Sequence, residues 1–297
     1  MKAWLVTNHF LQTNKFHEIY TWLKEAAGKH GIEIEERTNA ELLGQLEITN
    51  LSKSRCLSKT ERPDFVIFWD KDVRLAKLLE KAGLRLFNSA DGVAVCDDKS
   101  LTHERLLGTG IRMPKTFFAP LTFPACGYPD LSFLLPVEKE LGFPMVMKEC
   151  FGSFGAQVYL IHSHEELVQR VLACVGTPFL MQELIQESMG RDIRINMVGD
   201  KAVATMERYN EHDFRANITN GGSMRRYEPT EEELRMAKQV MKELQLDFAG
   251  VDIMFGKDGP VLCEVNSNAH FKNLWECTGI DTAWHILQYI RKKVEET

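Results

Sequence analysis

Residues 249–266 read AGVDIMFGKDGPVLCEVN, two apolar runs on either side of a turn that contains Gly259. This pattern predicts a β-hairpin. With a three-residue loop and Gly259 in the left-handed conformation, Asp252 faces Glu264 across the two strands. A two-residue loop at 258–259 would move Asp252 to the opposite face, so the register decides whether the two carboxylates meet.

In the first register, Asn266 lies two residues beyond Glu264 on the same face, because side chains alternate along a strand. Three oxygen donors on an otherwise apolar hairpin are costly to bury unless something pairs with them. Asp252, Glu264 and Asn266 are therefore candidate ligands for a hard divalent cation, such as magnesium that bridges to nucleotide phosphates. The alternative is that neighbouring arginines neutralise these carboxylates on a solvated face.

A glycine-bearing loop at 151–155 separates two predicted strands, 145–149 and 157–161. Its backbone amides can bind phosphates as a mobile flap, although an ordinary hairpin turn has the same pattern. Lys148, on the strand that leads into this loop, either presents its ammonium group to a phosphate or extends into solvent. Lys99, at the start of a predicted helix, is ambiguous in the same way.

Arginines are concentrated in a short span of this acidic chain, around Asn217: Arg194, Arg208, Arg215, Arg225 and Arg226. The guanidinium group suits bidentate contacts with carboxylates and phosphates, although a solvated strand face would give the same pattern. The sequence contains neither GxxxxGK[ST] nor GxGxxG, which argues against a P-loop and a dinucleotide-binding fingerprint.

Strands alternate with helices over the first 97 residues. Apolar runs at 3–6 and 65–69 predict strands, and apolar residues at helical spacing over 16–27 and 73–82 predict helices. This order predicts an α/β fold with a parallel sheet.

The composition excludes several classes of protein. The chain has 297 residues, of which 44% are hydrophobic, and a net charge of −6. The length predicts two or three lobes, and the acidic balance argues against a nucleic-acid partner or an anionic membrane surface. No apolar run is long enough to cross a bilayer, and the seven cysteines contain no CxxC pair, so we expect a cytoplasmic protein with reduced thiols.

Taken in chain order, these features resemble the RimK-type ATP-grasp ligases. The resemblance covers essentially the whole chain and is strongest from Gln182 onward. It rests on Lys99 before a helix, Met145-Val146-Met147-Lys148 before the flap, Gln182-Glu183-Leu184-Ile185, Gly190-Arg191-Asp192-Ile193-Arg194, Asp213-Phe214-Arg215-Ala216-Asn217, and the hairpin with Asp252, Glu264 and Asn266.

The resemblance implies an α+β ATP-grasp fold of three parts. These are an amino-terminal parallel-sheet domain (1–97), a central lid lobe (98–183) and a carboxy-terminal lobe (184–297), with ATP between the last two. The implied nucleotide contacts are Lys99, Lys148, Gly152, Ser153, Phe154, Gly155, Gln182, Glu183, Leu184, Ile185 and Asp192. The implied catalytic residues are Arg194, Arg215 and Asn217. Asp252, Glu264 and Asn266 would bind two magnesium ions, for which manganese can substitute.

The implied reaction activates a carboxylate as an acyl phosphate, which an amine then attacks. One departure concerns the amine, because many relatives follow the metal-binding asparagine with Ser-Pro-Gly, whereas this chain continues Ser267-Asn268-Ala269-His270. Glutamate or another amino acid is the expected amine, added to a peptide, protein or small-molecule carboxylate. The enzyme is expected to be able to form a homo-oligomer. The alternatives are a dipeptide or D-alanyl-D-alanine-type ligase, and a nucleotide-binding regulator without turnover.

Overall fold

The computed structural model of the chain describes residues 1–11, 13–42 and 62–296. The amino-terminal strands are β1 (Lys2–Thr7), β2 (Glu33–Thr38), β3 (Phe65–Phe68) and β4 (Leu86–Phe87), with helices α1 (Asn14–Lys29), α2 (Val73–Lys81) and α3 (Ala90–Asp97). All strand pairs in this sheet are parallel, and the order is β2-β1-β3-β4. The predicted parallel sheet is therefore confirmed.

Strand β3 is buried on both faces, as its continuous apolar sequence predicts. Phe65 and Ile67 enter one core together with α1 and the last helix, α9 (Thr282–Glu295), whereas Val66 and Phe68 enter a second core with α2. The carboxy-terminal helix thus packs against the amino-terminal sheet and ties the two ends of the fold together.

The central sheet is antiparallel. It contains β5 (Thr116–Phe118), β6 (Met145–Glu149), β7 (Val158–Ile161) and β8 (Phe179–Glu183) in the order β5-β8-β6-β7, with helices α4 (Lys99–Leu106), α5 (Leu134–Leu141) and α6 (His164–Ala173). The glycine and prolines within residues 119–136 predict a loop, but the last three of these residues belong to α5. Helix α5 begins at Leu134 because Leu134 and Val137 bury their side chains against this sheet.

The third sheet is also antiparallel and has the order β11-β10-β9-β12-β13. Its elements are β9 (Arg191–Val198), β10 (Lys201–Tyr209), β11 (Ser223–Arg226), β12 (Phe248–Gly256) and β13 (Gly259–Asn266), with helices α7 (Glu231–Glu243) and α8 (Lys272–Thr278). Helix α7 starts with the capping box that Thr230 and Glu233 predict.

In the hairpin of β12 and β13, Asp252 faces Glu264 as predicted, but the loop is not the predicted one. Its loop contains two residues, 257–258, rather than three. A bulge at Cys263 shifts the register by one residue, so that Asp252 pairs with Glu264 and Gly250 pairs with Asn266. The expected facing of the two carboxylates is therefore confirmed, although its cause is the bulge.

Across the described ranges, no helix is both long and apolar enough to cross a membrane. Six cysteines are free thiols there, and Cys56 lies outside the described residues.

Candidate active site

Two adjacent cavities lie where the three sheets meet. The smaller one, of about 100 Å³, lies between the central sheet and the carboxy-terminal sheet. The larger one, of about 400 Å³, lies between the amino-terminal domain, the flap and the carboxy-terminal sheet. Arg208, Asn217 and Glu264 line both cavities, so the two spaces meet at these side chains.

Most residues predicted to contact the nucleotide line the smaller cavity: Lys148, Gly155, Gln182, Glu183, Leu184, Ile185 and Asp192. Lys148 comes from β6 and is only 9% exposed, so its ammonium group points into the protein rather than extending into solvent. Leu184 and Ile185 directly follow β8, where the central sheet passes into the third sheet.

The side chains of Gln182 and Glu183 are held by other protein groups. The Gln182 amide contacts Thr116 Oγ1 at 2.9 Å and His103 Nε2 at 2.8 Å. The Glu183 carboxylate accepts a hydrogen bond of 2.7 Å from the backbone N–H of Lys115. These bonds fix the end of β8, so the wall of the cavity is pre-organised at this point.

Lys99 lines neither cavity. Its Nζ lies 3.4 Å from the carbonyl oxygen of Cys150, at the base of the flap. Burial lowers the pKa of Lys99, although the charge of Glu264 opposes this shift. The predicted contact of Lys99 with a phosphate stays a prediction.

The flap joins the three parts of the chain. Ser153 and Phe154 line the larger cavity, Gly155 lines the smaller one, and Gly152 lines neither. Ser153 Oγ accepts a hydrogen bond of 3.2 Å from Lys71 Nζ in the amino-terminal domain.

Gly155 adopts the left-handed φ of +72°, and a Cβ at this position would lie 2.5 Å from Asn217 Oδ1. A glycine is therefore required for the close approach of the flap to the carboxy-terminal lobe.

The resemblance implies that Arg194 and Arg215 lie near the phosphates and the acyl group, but the two arginines line different cavities. Arg194 lines the larger cavity, whereas Arg215 lines the smaller one. Arg215 is paired with Asp213 at 2.7 Å and donates a 2.7 Å hydrogen bond to the carbonyl oxygen of Gly155. In this structure Arg215 holds the flap, and its predicted contact with the acyl group stays a prediction.

Asp252 is fully buried and accepts hydrogen bonds from two arginines. Arg194 contacts its two oxygens at 2.7 and 2.6 Å, and Arg208 contacts it at 2.9 Å. Burial alone would raise the pKa of Asp252, but the two guanidinium charges bring it down to about 2. In this structure, arginines neutralise the Asp252 carboxylate, which was the alternative to metal binding. The ion-pair network is buried, however, and does not lie on a solvated face.

Asp192, expected near the ribose, belongs to the same network. It forms a bidentate ion pair with Arg208, with distances of 2.7 and 2.6 Å. Arg208 thus bridges the buried Asp252 and the partly buried Asp192 where the two cavities meet. Sequence patterns placed Arg208 only among five clustered arginines and gave no sign of this central position.

Glu264 and Asn266 are the predicted metal ligands whose oxygens remain accessible. Both line the larger cavity, and the Asn266 amide donates to Glu264 Oε1 at 3.3 Å. Carboxylate and amide oxygens fit magnesium, whereas Asp252 already accepts three arginine hydrogen bonds. Within residues 1–11, 13–42 and 62–296, no three His, Cys, Asp or Glu side chains cluster as a metal site by themselves. The predicted binding of a metal by Asp252, Glu264 and Asn266 stays a prediction.

Amino-terminal residues that sequence reasoning missed also line the larger cavity, among them Asn8, Lys15, Asp70 and Lys71. His270, from the segment that departs from the family pattern, lines the same cavity. No local signal marks Lys15 or Lys71, because each looks like a solvated surface lysine until the domains pack together.

The fold is that of the ATP-grasp enzymes. A D-alanine–D-alanine ligase from Bacillus anthracis, solved with ATP, superposes with a TM-score of 0.74 at 17% identity, over 100% of this chain and 98% of that one. An ATP-grasp RimK domain protein from Sphaerobacter thermophilus superposes with a TM-score of 0.72 at 17% identity, over 97% of this chain and 99% of that one.

Sequence comparison gives the family. Residues 96–290 match the model of the RimK-like ATP-grasp domain. An uncharacterized protein from Mycoplasma pneumoniae is 31% identical over 74% of this chain and 76% of its own length. A probable alpha-L-glutamate ligase from Histophilus somni is 35% identical over 66% of this chain and 64% of its own length. Human N-acetylaspartylglutamate synthase A is 31% identical over 74% of this chain and 56% of its own length.

The chain therefore belongs to the RimK-like ATP-grasp family, as the resemblance implied. It is an ATP-grasp ligase, an ADP-forming enzyme that makes carbon–nitrogen bonds. The family uses ATP and magnesium to join a carboxylate to an amine.

Proposed function

We propose that this enzyme adds glutamate, through its amino group, to the carboxylate of a peptide, protein or small molecule. The observation that carries the proposal is the pair of cavities that meet at Arg208, Asn217 and Glu264. ATP would bind at the smaller cavity, with its phosphates directed toward Lys148 and the junction. At about 100 Å³ this cavity must widen, by movement of the flap, to hold the whole nucleotide. The carboxylate and the amine fit the larger cavity, on the other side of the same three residues.

The proposed reaction has two steps. A carboxylate oxygen first attacks the γ-phosphorus of ATP, which releases ADP and leaves an acyl phosphate. The neutral amine then attacks the acyl carbon, the C–O bond to phosphate breaks, and the amine proton passes to solvent or to the departing phosphate. The cations at the junction stabilise the negative charge that develops on the transferring group.

Glu264, Asn266 and, after rearrangement of its arginine contacts, Asp252 would hold magnesium. When bound, magnesium neutralises phosphate charge; two ions, and replacement by manganese, are part of the proposal. The flap would exclude water from the acyl phosphate, because Ser153, Phe154 and Gly155 close over both cavities.

Glutamate is proposed because two relatives carry glutamate in their names and because the larger cavity contains cationic side chains. A D-alanyl-D-alanine-type ligase shares the fold, and it would join two molecules of a neutral amino acid instead. A regulator would bind ATP and release no ADP.

The test is an assay of ADP release and product mass with ATP, magnesium, L-glutamate and a pool of carboxylates. We expect one carboxylate to gain the mass of glutamate less water. The Glu264→Gln variant should lose this activity, because it removes metal charge without changing shape. Glu228→Gln, which alters an exposed glutamate outside both cavities, should retain it. Normal turnover of Glu264→Gln at saturating magnesium would contradict the assigned metal role, and product formation from neutral amino acids alone would favour the D-alanyl-D-alanine-type alternative.

A further inference from the structure

Four cationic side chains line the larger cavity. Three of them, Arg194, Arg208 and Lys71, each form an ion pair with an aspartate. The fourth, Lys15, forms no ion pair with any residue in the described part of the chain. Lys15 is therefore the one of these four cations without an ion-pair partner, although the carboxylates of Asp70 and Glu264 line the same cavity.

Lys15 is held inside the cavity rather than released into solvent. Its ammonium nitrogen lies 4.0 Å from the ring centroid of Phe154, on the flap. It belongs to the first turn of α1, which has no acidic residue, and a cation at that end of a helix is disfavoured by the helix dipole. Burial, together with the charge of Arg194, lowers the pKa of Lys15. An anion bound from outside the chain would offset the unfavourable effects of burial, of the helix dipole and of the Arg194 charge on the Lys15 ammonium group.

His270 lies next to this lysine and offers a second polar group. Its ring centroid is 5.8 Å from that of Phe154 and 4.6 Å from that of Phe16. Its Nδ1 is buried and has no hydrogen-bond partner in the described residues. Burial and the charges of Lys15 and Arg194 lower the pKa of His270 to about 4, so the ring is neutral at pH 7 and can donate one N–H to an anion.

We propose that Lys15 and His270 form a binding site for a carboxylate of the substrate that takes no part in bond formation. The substrate class is an acidic molecule with a second carboxylate. Its reacting end would lie at the junction of the cavities, near Arg208 and Glu264, and its other carboxylate would face α1. This inference rests on the proposed function, because it assigns the larger cavity to the substrates.

The experiment is calorimetric titration of the full chain, with magnesium and a non-hydrolysable ATP analogue present. Two pairs of probes separate the two substrates: L-glutamate against L-glutamine for the amine, and glutarate against glutaramate for the carboxylate. We expect the wild-type protein to prefer the member with two carboxylates in at least one pair. In Lys15→Met, which keeps an unbranched side chain against Phe154, binding of that member should weaken by about 10- to 100-fold, the range for a lost charge-assisted hydrogen bond.

Binding of the amide analogue and of the nucleotide should change little in Lys15→Met. Lys15→Arg should keep the preference because it keeps the charge. The matched control is Lys29→Met, which removes an exposed lysine at the other end of the same helix.

Three results would overturn the inference: no binding of either probe with two carboxylates, equal binding of the acid and the amide by the wild-type protein, or an equal loss for both in Lys15→Met. The readout requires no turnover. If the Lys15-dependent preference is present but no ADP forms with any substrate, the proposed function fails and this site stands. If ADP forms and the preference survives in Lys15→Met, only this site fails.

Discussion

Removal of the Arg208 guanidinium group should strongly destabilise the protein. Arg208 is 6% exposed in its side chain and donates to Asp192 at 2.7 and 2.6 Å and to Asp252 at 2.9 Å. Arg208→Met keeps most of the side-chain volume but leaves Asp192, which is only 13% exposed in its side chain, without its ion-pair partner. Asp252 keeps Arg194, so the cost falls mainly on Asp192. Loss of one partner from a buried ion pair costs about 3–5 kcal/mol, and we expect the lower end of this range.

The loss of stability should depend on pH. Burial raises the pKa of Asp192 even though Arg208 opposes it, and without the guanidinium group this pKa rises further. The folded variant then binds a proton that the unfolded chain has already released. Its stability therefore falls as pH rises above the ordinary range of an aspartate, and the difference from wild type is larger at pH 8 than at pH 5.

The assay is urea unfolding followed by circular dichroism, with the free energy of unfolding obtained by linear extrapolation. Arg235→Met is the control, because Arg235 is exposed and its ion pair with Glu231 is a surface pair worth less than about 1 kcal/mol. Addition of Asp192→Asn to Arg208→Met should recover part of the lost stability by removing the unpaired charge. A loss equal to that of the control, or a double variant no more stable than Arg208→Met, would refute the reasoning.

Three further predictions concern the flap, the nucleotide and pH. Gly155→Ala should weaken ATP binding in calorimetry, because the added Cβ would lie 2.5 Å from Asn217 Oδ1. The control is Gly127→Ala, which should leave ATP binding unchanged, because Gly127 also has a positive φ, +62°, but has open space around its Cβ. Equal ATP affinities of the two variants would contradict the flap contact. Lys148→Ala should weaken ATP binding by about 1.5–3 kcal/mol if its ammonium group contacts phosphate, and an unchanged affinity would exclude that contact. Because the pKa of His270 lies near 4, below its ordinary value of 6.5, the folded state disfavours the protonated ring. Stability should fall as pH drops from 6.5 toward 4, by up to about 3 kcal/mol, and His270→Gln should flatten this dependence in unfolding measurements; an unchanged slope would show that His270 is not its source.

The sequence was sufficient for the architecture wherever periodicity is strong. The run at 65–69 predicts a buried strand because every residue in it is apolar, and alternate side chains indeed enter two different cores. The start of α7 follows from Thr230 and Glu233 because a capping box is a local interaction.

The hairpin shows where local reasoning fails. Asp252 was expected to face Glu264 because of a three-residue loop, but the loop has two residues and the bulge at Cys263 restores the pairing. Cys263 carries no turn signal, so its sequence context does not reveal the bulge. The arginine contacts of Asp252 also depend on the pairing of β9 with β12, which local sequence does not specify.

The larger cavity could not be predicted because its walls come from distant parts of the chain. Lys15 and His270 are more than 250 positions apart in the sequence, and each looks unremarkable in its own helix or loop. They meet only because α9 and the segment before α8 pack the carboxy-terminal lobe against the amino-terminal sheet. Tertiary packing, rather than any motif, therefore makes this part of the site.

The most direct test of the account is to identify the products formed from ATP and a carboxylate substrate when hydroxylamine replaces the amine. An acyl phosphate is intercepted by hydroxylamine, so the account predicts hydroxamate, ADP and phosphate in equal amounts, with all three lost together in Glu264→Gln. Formation of AMP and pyrophosphate would mean that the carboxylate is activated as an adenylate, and the mechanism proposed for this ligase would be wrong.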